Sequence, residues 1–161
     1  MVSDLGFCLI GYGRVEFLFG DLVWHGRQMP EYVATVKRDF PISLSGRLRD
    51  LRAMLELPGP YSPWADHLKL LMVRLEQLEE PRHLFVHGHT SFYYTPSGDA
   101  AMYFRTFVGP PKGGGTPAKR HLSMVRPKSL AQAKFAWTVF AATAQDIIRD
   151  IYLTLGFEDY T

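Results

Sequence analysis

The chain contains no asparagine and only one cysteine, Cys8. The first absence removes any N-glycosylation sequon, and the second excludes an intramolecular disulfide and any CxxC metal or redox pair. No apolar run approaches the ~20 residues that a membrane span needs. The apolar N-terminal stretch carries Asp4, Arg14, Glu16 and Asp21 with no basic segment ahead of it, which argues against a secretory signal. A cytoplasmic, reducing setting without membrane association is therefore expected. Internal repeats are absent, and low complexity is confined to the Gly/Pro-rich stretch Gly109–Lys119.

Charge of either sign is in modest supply. The net charge is +2 with a pI near 8.7, a mildly basic balance that permits a nucleic-acid partner without requiring one. With 161 residues and 47% hydrophobic content, the chain can build one ordinary core and is too apolar for disorder.

Two glycine-rich stretches lack the residues their nucleotide-binding look-alikes require. Gly11-Tyr12-Gly13 is followed by Glu16 where a dinucleotide fingerprint has its third glycine. Counted from Gly109, Gly115 stands where a P-loop has its lysine, and no helical pattern follows. Both readings are excluded, and no cofactor is implied.

What is present is amphipathic helix. Leu5, Cys8, Leu9, Tyr12, Val15, Phe19, Leu22 and Val23 share one face of a first helix over 5–25. Glu16 falls on that face, either as a carboxylate at its exposed edge or as a buried one with a cationic partner. A short helix over 31–40 starts at Pro30, with Val33, Val36 and Phe40 on one side, and ends at Pro41. Ser43 caps a helix over 43–57 with Leu44, Leu48, Leu51 and Leu55 as its stripe, leaving Arg47, Arg49 and Arg52 for a solvated face. Ser62 caps the next helix, over 62–87, with Pro63 first and Trp64, Leu68, Leu71, Leu75 and Leu78 on its buried side.

The period then changes. Ser91–Thr95 and Ala100–Val108 read as strands joined by Pro96-Ser97-Gly98-Asp99, and Arg120–Arg126 as a third, giving a β segment over about 90–126. Ser129-Leu130-Ala131-Gln132 has the form of a capping box and opens a last helix over 129–155. The expected class is mainly α: a four- to five-helix bundle with a small β-hairpin or three-stranded antiparallel insertion before the last helix.

At the junction of helix and strand lies Arg82-His83-Leu84-Phe85-Val86-His87, followed by Gly88. In the phase of the preceding helix Arg82 continues the leucine stripe, while His83 and His87, four residues apart, share an adjacent face. Pro81 interrupts the hydrogen-bond ladder there, so a kink or fresh turn is expected, and Gly88 is placed to end the helix. An arginine on an apolar stripe needs an anionic partner, and Glu16, which faces the same interior, is expected to pair with it or with His87.

This stretch resembles the RxxxxH motif of the HEPN superfamily, in which a polar residue often follows the arginine. The resemblance covers most of the chain as an arrangement, but only the motif as residues. It implies a helical bundle that forms a homodimer with the two motifs facing across the interface, and activity as a metal-independent endoribonuclease of toxin or defence type. By the same resemblance His87 is the general acid or base in attack of the ribose 2′-hydroxyl on the adjacent phosphate, a task suited to histidine's near-neutral pKa. Arg82 holds the phosphate, and His83 orients one of them or touches RNA. Nothing in the sequence names an RNA target or a cognate antitoxin.

Three further readings stand beside it. His83, His87 and His89 have ligand-like spacing, but no acid lies within the run and Leu84 occupies the glutamate position of HExxH, so no metal site is assigned. Lys112, Lys119 and Arg120, with Arg126 and Lys128 and the neighbouring strand aromatics, form a candidate RNA-binding group. In the third reading the motif is structural, an Arg82–Glu16 pair with a helix-end histidine, within a non-catalytic interaction or RNA-binding module.

Overall fold

A computed structural model describes residues 2–36, 39–108 and 119–157. Four α-helices, two 3-10 turns and three strands follow one another as α1 (Val2–Gly26), turns at Val33–Thr35 and Ser62–Trp64 on either side of α2 (Leu44–Leu55), then α3 (Ala65–His87), β1 (His89–Tyr94), β2 (Ala100–Val108), β3 (Lys119–Val125) and α4 (Pro127–Leu155). The protein is thus mainly helical, with a three-stranded antiparallel sheet before its last helix. No described helix is long and apolar enough to cross a membrane.

Helix α1 is the centre of the bundle, touched by α2, α3 and α4. Its apolar face buries Cys8, Tyr12, Val15, Phe19, Leu22 and Val23. Along α4 it pairs Asp4 with Lys134, Tyr12 with Trp137 and Asp21 with the Tyr152 hydroxyl, so the two helices run in the same direction. The leucines of α2 and α3 close the core, with Leu48, Leu51, Leu68 and Leu75 each essentially buried. Within α3 the helix passes through Pro81 as one unbroken element.

Several boundaries differ from the sequence reading. The helix expected over 31–40 is only the turn Val33–Thr35, followed by extended Val36. Residues 37 and 38 lie outside the described residues. The anchor there is Tyr32, not the Val33 stripe: Tyr32 is fully buried while Val33 is exposed. The Tyr32 hydroxyl accepts from the Tyr61 backbone N–H at 2.8 Å, and the Tyr61 hydroxyl donates to the Leu22 carbonyl at 2.7 Å. Buried side-chain hydrogen bonds from one loop to the other and on to α1 thus replace a helical ladder.

Ser43 does cap α2, accepting from the Gly46 N–H at 3.2 Å. Ser62 does not cap α3. Its hydroxyl accepts from the Gly59 N–H at 2.9 Å, stabilising the turn, and α3 starts at Ala65. The capping box at Ser129 is likewise unused, because α4 begins two residues earlier at Pro127, whose fixed φ suits a first helical turn.

The sheet is a meander in the order β1-β2-β3, registered by His89 opposite Arg105, Tyr103 opposite Met124 and Thr106 opposite His121. Its hairpin turn uses Gly98 at φ +87°, a conformation that favours glycine. One face presents Met102 and Phe104, both buried, and Phe104 packs on Phe85 of α3 at 5.2 Å between ring centroids. That contact seats the sheet on the helices beside the Arg82–His87 stretch.

Candidate functional site

The last turns of α3 distribute the motif around the helix. Arg82 is half-buried and points at α1: its guanidinium lies 3.9 Å from the Glu16 carboxylate and 5.5 Å from the centre of the Tyr12 ring. Glu16, also half-buried, stands between two arginines, with Arg47 at 4.0 Å on its other oxygen. Arg47 therefore leaves the solvated face expected of it. It is held by Glu16, by the Pro41 carbonyl at 3.2 Å and against the Phe40 ring. Arg49 and Arg52 are exposed, and Arg52 pairs with Glu76.

This cluster sets the electrostatics of its surroundings. Burial, reinforced by the charges of Glu16 and Glu79, pushes the Tyr12 phenol well above its ordinary value, and Arg82 offsets part of that shift. Tyr12 is thus a neutral surface on which Arg82 rests.

His83 and His87 are exposed and share a face, with ring centroids 4.7 Å apart. His87 lies five helical steps beyond Arg82, which turns the two side chains roughly 140° apart at ~100° per residue. The structure accordingly brings Arg82 together with Glu16, and His83 with His87.

His83 also lines a cleft of about 370 Å³ between α3 and the sheet. Its polar lining includes His121, Thr106 and Ser123, and its walls include Phe85 and Val125. His121 was not among the residues the sequence singled out. Its signal lay in the alternation of β3, which puts His121, Ser123 and Val125 on the face that packs against α3. Linking β3 to the end of α3 needed the tertiary fold.

Of the residues assigned to nucleic-acid binding, Lys112 lies outside the described residues and Lys119 is the first residue of β3. Arg120 is exposed and, by strand alternation, belongs to the opposite face of the sheet from His121. It does not join the cleft. Phe104, grouped with the aromatics of that surface, is buried in the core.

Cys8 is fully buried, and burial raises its thiol above the ordinary value. Among the described residues no three His, Cys, Asp or Glu side chains are grouped so that they could hold a metal ion.

No protein-family model, curated protein or solved structure matches this chain.

Proposed function

We propose that this chain is a metal-independent endoribonuclease of the HEPN type, toxin- or defence-like, working as a homodimer in the cytoplasm. The observation that carries the reading is the pair of exposed imidazoles, His83 and His87, 4.7 Å apart at the end of α3. Beside them opens the cleft that also takes His121.

The chemistry suits such a cluster. A neutral imidazole, His87, takes the proton of the ribose 2′-hydroxyl as the O2′–P bond forms. A protonated neighbour, His83, gives a proton to the departing 5′-oxygen as the P–O5′ bond breaks. The requirement for a 2′-hydroxyl makes the substrate RNA. Arg82, held by Glu16 on the α1 side of the helix, keeps a third of its side chain exposed and adds positive charge to this end of α3.

The test is incubation of the purified chain with RNA in excess chelator, beside His87→Ala and His83→Ala. Cleavage that survives the chelator and fails in His87→Ala supports the enzyme. Equal cleavage by wild type and His87→Ala, or none by a well-folded dimer, overturns it.

The contacts of Arg82 favour a second reading, a non-catalytic interaction module. Its partners Glu16 and Tyr12 both belong to α1, as a purely structural arginine would have them. Under that reading Arg82→Ala lowers the melting temperature and no RNA is cut by any variant.

A further inference from the structure

The outer face of the sheet carries an aromatic groove. By strand alternation Tyr93, Tyr103, Leu122 and Met124 stand on the side away from the helices. Tyr93, Leu122 and Met124 are each about half exposed: 54%, 53% and 49%. Tyr93 meets Tyr103 edge-on, with centroids 6.2 Å apart and planes at 89°. A groove of about 620 Å³ crosses this face. Tyr93, Tyr103 and Met124 line it on the sheet, and Asp99, Arg126 and Lys128 line it at the end where the hairpin turn and the start of α4 lie together.

The sequence that supplies this face is also basic. Between Glu80 and Asp146 the sequence has eight Lys or Arg residues and one acid, Asp99, although the whole chain carries only +2. Asp99 sits in the hairpin turn, where the Ser97 hydroxyl donates to it at 3.1 Å, and the pairing of Met102 with Val125 puts that turn at the same end of the sheet as Arg126 and Lys128, where two cations stand against one acid. The groove therefore has an aromatic floor and, at one end, two cations beside a single acid.

We propose that this groove binds a single strand of nucleic acid, with bases stacked on Tyr93 and Tyr103 and the backbone phosphates at Arg126 and Lys128. Unpaired bases expose the π-faces that such rings need, whereas a duplex keeps them inside its stack. An acidic peptide would satisfy the cations and leave the aromatic floor unused. The inference deepens the ribonuclease reading by assigning substrate capture to a surface separate from the histidines, and it rests on that reading for the claim that the strand in use is RNA. Stacking on the rings and contact with the phosphates make no use of the 2′-hydroxyl, so the groove holds RNA and DNA strands alike.

The experiment is fluorescence anisotropy of the full chain with a fluorescein-labelled ten-nucleotide RNA strand and the matching DNA strand. The RNA is measured in the His87→Ala background to prevent cleavage. Expected are similar affinities for the two strands and a weakening of about tenfold in Tyr93→Ala and in Tyr103→Ala, with tyrosine-to-phenylalanine variants near wild type. Arg126→Ala and Lys128→Ala should each reduce the slope of log affinity against log salt by about 0.7. Unchanged affinity in folded Tyr93→Ala and Tyr103→Ala overturns the proposal, as does preference for the duplex or full displacement by poly-glutamate. The two readings fail separately. RNA cut by wild type with no effect of the tyrosines removes the groove and leaves the enzyme. Tyrosine-dependent binding with no cleavage removes the enzyme and leaves the groove.

Discussion

Arg82 of α3 and Glu16 of α1 form an ion pair at 3.9 Å, with the arginine lying over Tyr12. The pair ties the end of α3 to the central helix of the bundle and leaves the neighbouring histidines free to face outwards. Glu16 is also shared with Arg47, so one carboxylate organises two cations from two helices.

Replacing Glu16 with Gln removes the charge that both arginines face. Because the groups are partly exposed, a loss of about 1 kcal/mol is expected, against a negligible loss for Glu79→Gln at an exposed position of α3. Thermal unfolding followed by circular dichroism checks the difference, and equal effects would remove Glu16 from the site.

Asp50 presents a sharper case. It is only 4% exposed and accepts from Arg27 at 3.1 Å, whose own side chain is 12% exposed. Asp50→Ala leaves a buried guanidinium without this carboxylate and should cost about 3 kcal/mol, seen as a lower urea midpoint with an unchanged m-value. A change below 1 kcal/mol would mean that solvent reaches Arg27 freely.

The tyrosines set an alkaline limit. Burial raises the Tyr12 and Tyr61 phenols above their ordinary value of ~10, so the unfolded chain releases these protons first. Stability is then full below about pH 10 and falls as pH rises further, because ionisation favours the unfolded state. Urea unfolding between pH 8 and 11.5 should show that decline. Tyr12→Phe with Tyr61→Phe should flatten it, while being less stable at pH 8 because the Leu22 carbonyl loses its donor.

Gly88 joins α3 to β1. Its φ of −74° suits any residue, but a Cβ there would lie 2.5 Å from the Leu84 carbonyl oxygen. Gly88→Ala should therefore cost about 1–3 kcal/mol by overpacking and shift β1 relative to α3. A melting temperature equal to wild type would show that the junction can yield.

Much of the fold is legible in period and punctuation. The leucine stripes, the change to alternation after Gly88 and the turn at Gly98 place the helices and the hairpin from local chemistry alone. Ends were less legible. Ser62 and Ser129 have capping chemistry, yet Pro127 and the Gly59–Ser62 turn place the first helical turns elsewhere. The 31–40 segment fails for a tertiary reason, since Tyr32 is held by Tyr61, a residue 29 positions away.

At the candidate site the sequence by itself determined that Arg82 continues the apolar stripe of α3, that Glu16 falls on the apolar face of α1, and that His83 and His87 stand together off the α3 stripe. Helical periodicity fixes such neighbours within one element. Only the tertiary structure decided what lies opposite them. It sets His121 across the cleft from α3, Arg47 on the far oxygen of Glu16 and Arg120 on the other side of the sheet. Those relations depend on how elements pack, through contacts such as Phe85 on Phe104, and packing joins residues that no spacing along the chain connects.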